Sequence, residues 1–146
     1  MFDISAFPAF PAFALALVAL FLKTMLTSVL QVTSRFRSRA FTIPEDAALA
    51  RVKTKQEEAA FVQRCGYVWR NDVENLPMFI ALALTYVLLG APLASAQVLF
   101  AAYVASRYAH TAVYLLALQP WRMLTYLFGM LICAIIAVRI VLLATA

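Results

Sequence analysis

The sequence predicts an all-α membrane protein, a bundle of four transmembrane helices forming a single domain over residues 1–146. Three observations carry that expectation. Hydrophobic residues make up 65% of the chain and charged ones 13%, with a mean hydropathy of +0.87, whereas a soluble domain is about half apolar and about a quarter charged. Four apolar runs approach or exceed the roughly 20 residues that a helix needs to cross a bilayer core. None of these runs alternates with a period of two, so helices, and not the strands of a closed barrel, are the way their backbone amides pair within lipid.

The first helix is expected over about residues 7–33, interrupted only by Lys23. Pro8 and Pro11 stand at its start, where a missing amide donor matters least. A cleaved leader is not expected, because the segment before this run carries Asp3 and no Lys or Arg, and no clean small-residue cleavage site follows. The second helix, about 59–89, begins amphipathically, turns wholly apolar from Leu76 to Leu89, and should kink at Pro77. Gly90-Ala91-Pro92 makes a tight connection to the third, about 93–118, and Gln119-Pro120 separates it from the fourth, about 121–145. There is no internal repeat and no low-complexity tract.

Orientation follows from the basic residues. Arg35, Arg37, Arg39, Arg51, Lys53, Lys55 and Arg64 cluster between the first two helices, and the Gly90 connection has none. The loop over about 35–58 should therefore face the cytoplasm, with both termini opposite. Arg139, toward the far end of the fourth helix, can snorkel outward. The net charge of +5 is then mostly topology and contact with anionic lipid, and no nucleic-acid partner is expected, since no basic stripe lies along a soluble face. Cys65 and Cys133 fall at different depths, which makes a bridge improbable. With a single His and no ligand spacing, no metal site is expected.

Ionisable side chains inside a span are costly and usually functional. The second helix carries Arg70, Asn71 and Glu74 on roughly one face, the third His110 and Tyr114 with Arg107, and the fourth Arg122 and Tyr126. Arg35 ends the first helix on the same side. Each has a plainer reading. Arg35 and Arg122 alone would be topogenic, Arg70 and Glu74 a structural ion pair, His110 a hydrogen-bonded core residue, and the two tyrosines interface aromatics. Asp72 reads as structural, paired with Arg107. The convergence of all these groups at one depth favours a binding pocket. Several arginines with one carboxylate and an amide suit a small zwitterion of net negative charge, held by bidentate guanidinium contacts. Glutathione has that chemistry, and the adjoining apolar surface would admit a lipophilic second substrate.

The stretch Arg70-Asn71-Asp72-Val73-Glu74-Asn75-Leu76-Pro77 resembles the second-helix signature of the MAPEG family, the membrane-associated proteins in eicosanoid and glutathione metabolism. So do residues 39–46, residues 107–114, and Arg122 with Tyr126, in order over nearly the whole chain, most like the microsomal prostaglandin E synthase branch. The resemblance implies a homotrimer, with bent glutathione bound between subunits near the cytoplasmic face. It implies that Arg35, Arg70, Asn71, Glu74, His110, Tyr114 and Tyr126 bind glutathione, and that Arg122 lies by the sulfur and favours its thiolate. Asp46 matches a family acid that positions this arginine. Two residues depart from the branch pattern: Tyr67 replaces a basic residue, and Met123 replaces a serine whose hydroxyl would lie near the sulfur.

The function expected is a membrane-bound glutathione transferase, using glutathione as cosubstrate against lipophilic electrophiles, with possible peroxidase action on lipid hydroperoxides. A prostaglandin-E-synthase-like endoperoxide isomerase, a non-catalytic lipid-binding scaffold and a small transporter are the alternatives. The transporter is disfavoured by the lack of paired broken helices. An alanine-rich, lysine-poor composition points to a bacterial inner membrane.

Overall fold

The structure, a computed structural model, describes residues 6–145; Asp3, used above in the argument on a cleaved leader, lies outside them. Five helices follow in order: α1 (Phe10–Ser38), α2 (Pro44–Leu49), α3 (Ala60–Leu88), α4 (Leu93–Leu115) and α5 (Trp121–Ala144). Where four transmembrane helices were expected there are five helices among the described residues, of which α1, α3, α4 and α5 are long and α2 is a short addition inside the loop. Its sequence explains it: Pro44 occupies the first turn, where its fixed φ favours a helix, and Glu45 and Asp46 complement the N-terminal dipole. Helix α1 runs past the expected Thr33 because Ser34 to Ser38 includes no breaker; it stops at Arg39, whose φ of 50° is left-handed.

Helices α3 and α4 pack against each other and against both α1 and α5, so α1 and α5 flank a central pair. The C-terminus of α1, the N-termini of α3 and α5, and the C-terminus of α4 gather at one end, here called the loop end. Two contacts tie it. Arg64 Nη1 donates to the Leu115 carbonyl at 3.4 Å, using one of the α4 carbonyls that has no partner in its own helix. Arg35 Nη2 meets Glu58 Oε1 at 2.6 Å, joining α1 to the residues leading into α3.

The far half of the interior is aromatic. Phe79 stacks on Tyr103 with centroids 3.8 Å apart, and Phe100 sits edge-on to both Phe79 and Phe13. Ala16, Ala83 and Ala96 are buried around them, which lets the helix backbones come close. The outside is greasier than the inside. On α1 the buried stripe is Phe13, Ala16, Leu20, Lys23 and Thr27, whereas Leu15, Val18, Leu22, Leu26 and Val29 are exposed. On α5 the exposed face is Leu124, Leu127, Phe128, Leu131 and Val138. An apolar exterior around a partly polar interior is what hydrocarbon surroundings select. Both α1 and α5 are long and apolar enough to cross a membrane.

Candidate functional site

Toward the loop end the interior turns polar, and all four long helices contribute. From α1, the buried Lys23 ammonium bonds both carboxylate oxygens of Asp72 on α3. This corrects the sequence expectation that Asp72 pairs with Arg107. Lys23 follows the same three-and-four spacing as the rest of the buried α1 stripe, so its ammonium is carried inward and reaches Asp72 first. Arg107, only 2% exposed, instead donates from Nη1 to Asn71 Oδ1 at 3.2 Å and lies over the Tyr103 ring, 5.6 Å from its centroid. Its Nε has no hydrogen-bond partner. Gly129 on α5 makes room for it: a Cβ there would sit 3.1 Å from Arg107 Nη2 and 3.2 Å from Ser106 Oγ.

Beside this layer a cavity of about 430 Å³ opens between α3, α4 and α5, lined by Asn71, His110, Tyr114, Gln119, Arg122, Met123 and Tyr126. Arg122, in the first turn of α5, is fixed on two sides. Its guanidinium lies over the Tyr114 ring at 4.8 Å. With the Gln119 amide oxygen turned toward it, it donates from Nε at 3.0 Å and from Nη2 at 2.7 Å. His110 Nδ1 is 3.1 Å from Thr125 Oγ1, which also lies 2.9 Å from the Trp121 carbonyl and 3.1 Å from that of Arg122. Because the one hydroxyl proton goes to a carbonyl, Thr125 accepts from His110 Nδ1–H. That leaves His110 Nε2 as a buried nitrogen without a partner, flanked by the Tyr114 and Tyr126 rings.

Of the residues expected in the site, Asn71, His110, Tyr114, Arg122 and Tyr126 therefore line one cavity. Arg35, Arg70, Glu74 and Asp46 are not in its wall. Arg35 is engaged by Glu58. Arg70 and Glu74 are exposed on α3 and form no ion pair with each other, although they are one turn apart on the same face. Asp46, half-buried in α2, takes part in neither ion pair of the described residues. Two wall residues were missed. Gln119 stands three residues before Arg122 at the mouth of α5, and Met123 had been noted only for lacking a hydroxyl. Lys23 was read merely as an interruption, though a lone lysine in an apolar run is itself a sign of a buried partner. Tyr67 is outside the cavity wall and sits beside Tyr114, with ring centroids 6.5 Å apart.

The sequence profile of the MAPEG family matches residues 13–142. The chain belongs to the MAPEG family. It is 36% identical over 134 residues to prostaglandin E synthase of Equus caballus, covering 91% of this chain and 88% of that one. The human prostaglandin E synthase is 34% identical with the same coverage. Microsomal glutathione S-transferase 1 of Rattus norvegicus is 31% identical over 136 residues, covering 88% of this chain and 84% of the relative. Membership in MAPEG makes this a membrane protein, in keeping with the apolar exteriors of α1 and α5, and its similarity to these relatives supports a glutathione-dependent membrane enzyme.

Proposed function

We propose that this MAPEG protein is a membrane glutathione transferase that stabilises the glutathione thiolate beside Arg122 and presents it to lipophilic electrophiles, with lipid hydroperoxides as further substrates. The observation that carries the reading is the fixed Arg122 guanidinium in the wall of the cavity, braced by Gln119 and Tyr114. A free thiol with a pKa of about 8.5 is mostly protonated at neutral pH, and a neighbouring cation favours the thiolate. Because the arginine is already held, little reorganisation is needed as the charge develops. The cavity volume falls in the range of about 300–1,000 Å³ usual for small-molecule sites. The apolar α5 face beginning at Leu124 adjoins it and offers a lipophilic substrate a route from the bilayer.

The assembly proposed is a homotrimer of single-domain subunits, each crossing the bilayer with all four long helices. Support comes from α3: Arg70 and Glu74 are exposed among apolar neighbours such as Val73, 63% exposed, and charges in hydrocarbon need a protein partner. A neighbouring subunit at that face would cover them and bring Arg35, Arg70 and Glu74 to glutathione bound between chains, with Asp46 in the loop orienting Arg122. The site would face the cytoplasm, in a bacterial inner membrane.

The deciding experiment is an ultraviolet difference spectrum of the detergent-purified protein with glutathione near neutral pH, alongside Arg122→Ala. A thiolate band in the parent that the variant loses is expected. If there is no band and no calorimetric binding, the enzyme reading is lost in favour of a lipid-binding scaffold. A second reading, an endoperoxide isomerase, draws on the likeness to prostaglandin E synthases. Met123, which brings a thioether to the wall where that branch has a hydroxyl, weighs against it. Product analysis with a prostaglandin endoperoxide separates the two.

A further inference from the structure

The orientation of Asn71 in the wall is dictated from behind. A carboxamide can present either its oxygen or its NH₂ group to a ligand, and the chemistry of the pocket depends on which. Behind Asn71 lies the Arg107 guanidinium, a group that has five N–H donors and no acceptor. Only the amide oxygen can bond to it, and Oδ1 does so at 3.2 Å. Nδ2 makes no hydrogen bond within the described chain, and Asn71 is part of the cavity wall.

Two neighbours keep Arg107 available for this task. Lys23 engages both oxygens of Asp72, so the carboxylate nearest in sequence to Asn71 does not draw the guanidinium away. Gly129 leaves the space that the guanidinium fills, and any larger residue there would press on Nη2. The buried layer thus holds two cations, Lys23 and Arg107, against one carboxylate, Asp72. The surplus positive charge stands behind the wall formed by Asn71 and His110.

We propose that Arg107 is a positioning residue of the cavity. It pins the Asn71 carboxamide oxygen-inward, so that Asn71 serves the ligand as a hydrogen-bond donor and selects a carboxylate or peptide carbonyl oxygen at that point. The choice of glutathione as that ligand rests on the function proposed above.

Asn71→Asp separates this from a merely structural role. Aspartate keeps an oxygen for Arg107 and strengthens that contact, but it replaces the donor facing the ligand with an anionic acceptor. The full-length protein in detergent should therefore unfold at the same temperature or higher, while its Kd for glutathione by calorimetry rises at least tenfold. Arg107→Met should raise the Kd at least fivefold. Adding Asn71→Ala to Arg107→Met should cost little more than the larger single change, since the two act through one contact. Arg107→Lys, which keeps a buried cation with N–H donors and so guards against a folding failure of Arg107→Met, should weaken binding less than Arg107→Met. Wild-type affinity in Asn71→Asp, or losses that multiply in the double variant, would overturn the proposal.

An arm without ligand tests the orientation alone. The side-chain NH₂ resonance of Asn71, assigned by its loss in Asn71→Ala, should be rigid on the ps–ns scale in the parent and mobile in Arg107→Met. If the parent binds no glutathione, the functional reading falls, and this dynamics measurement still decides the positioning role. Equal rigidity in both proteins would refute it.

Discussion

The polar layer has two sides built from similar residues to opposite ends. Between α1 and α3, Lys23 is matched by Asp72, and nearer the loop end Arg35 is matched by Glu58. Between α3, α4 and α5, Arg107 and Arg122 meet only neutral partners: the amides of Asn71 and Gln119 and the rings of Tyr103 and Tyr114. On the first side charges close on one another, and nothing is left over for a ligand. On the second side the cations are braced but not neutralised, and an open cavity adjoins them. Burial and charge alone do not mark a site in this bundle. What sets the candidate site apart is cationic groups held in place without a carboxylate.

The largest expected effect comes from opening the closed side. Asp72→Ala leaves Lys23 buried without its partner and should destabilise the protein by about 3–5 kcal/mol, read as a lower midpoint of chemical or thermal unfolding in detergent. Restoring neutrality with Lys23→Met in the same chain should recover much of that loss. On the open side, Arg122→Ala should lower kcat/KM for conjugation of a lipophilic electrophile by about 10²–10³-fold, with an unfolding midpoint close to that of the parent. Equal losses of stability on the two sides would dissolve the contrast. Gly129→Leu should cost about 1–3 kcal/mol by overpacking against Arg107 and Ser106, and calorimetry should show weaker glutathione binding. The smallest effect belongs to Arg35→Gln: its pair with Glu58 is only partly buried, and the unfolding midpoint should move by no more than about 1 kcal/mol.

The long helices were legible because each hydrophobic run declares its own length, and punctuation such as Gly90-Ala91-Pro92 falls where α3 gives way to α4. The short α2 left a weaker mark, though Pro44 followed by two acids is a helix start that could have been read. Pairings were less accessible. Asp72 lies 49 positions from Lys23 and 35 from Arg107, and nothing in the sequence tells which cation reaches it, since that depends on the relative rotation of α1 and α4 about α3. The site shows the same division. Helical spacing puts His110 with Tyr114, and Arg122 with Tyr126, on single faces. Gln119 joins them only because the chain turns at Pro120 and brings the amide back over Arg122.

Arg107 also bears on how the chain is made. It lies about two helical turns inside α4, and an arginine deep in a lone segment costs roughly 2.5–3.5 kcal/mol to insert. The group that receives it, Asn71, is on the preceding helix, joined to α4 only through residues 89–92. If α3 and α4 cross the bilayer as proposed above, so short a tether makes a hairpin the cheapest way for them to enter, the second helix delivering its charge to an acceptor that arrived with the first. The contact that orients an amide in the finished protein thus also gives the nascent chain a reason to assemble its two central helices before the flanking pair is complete.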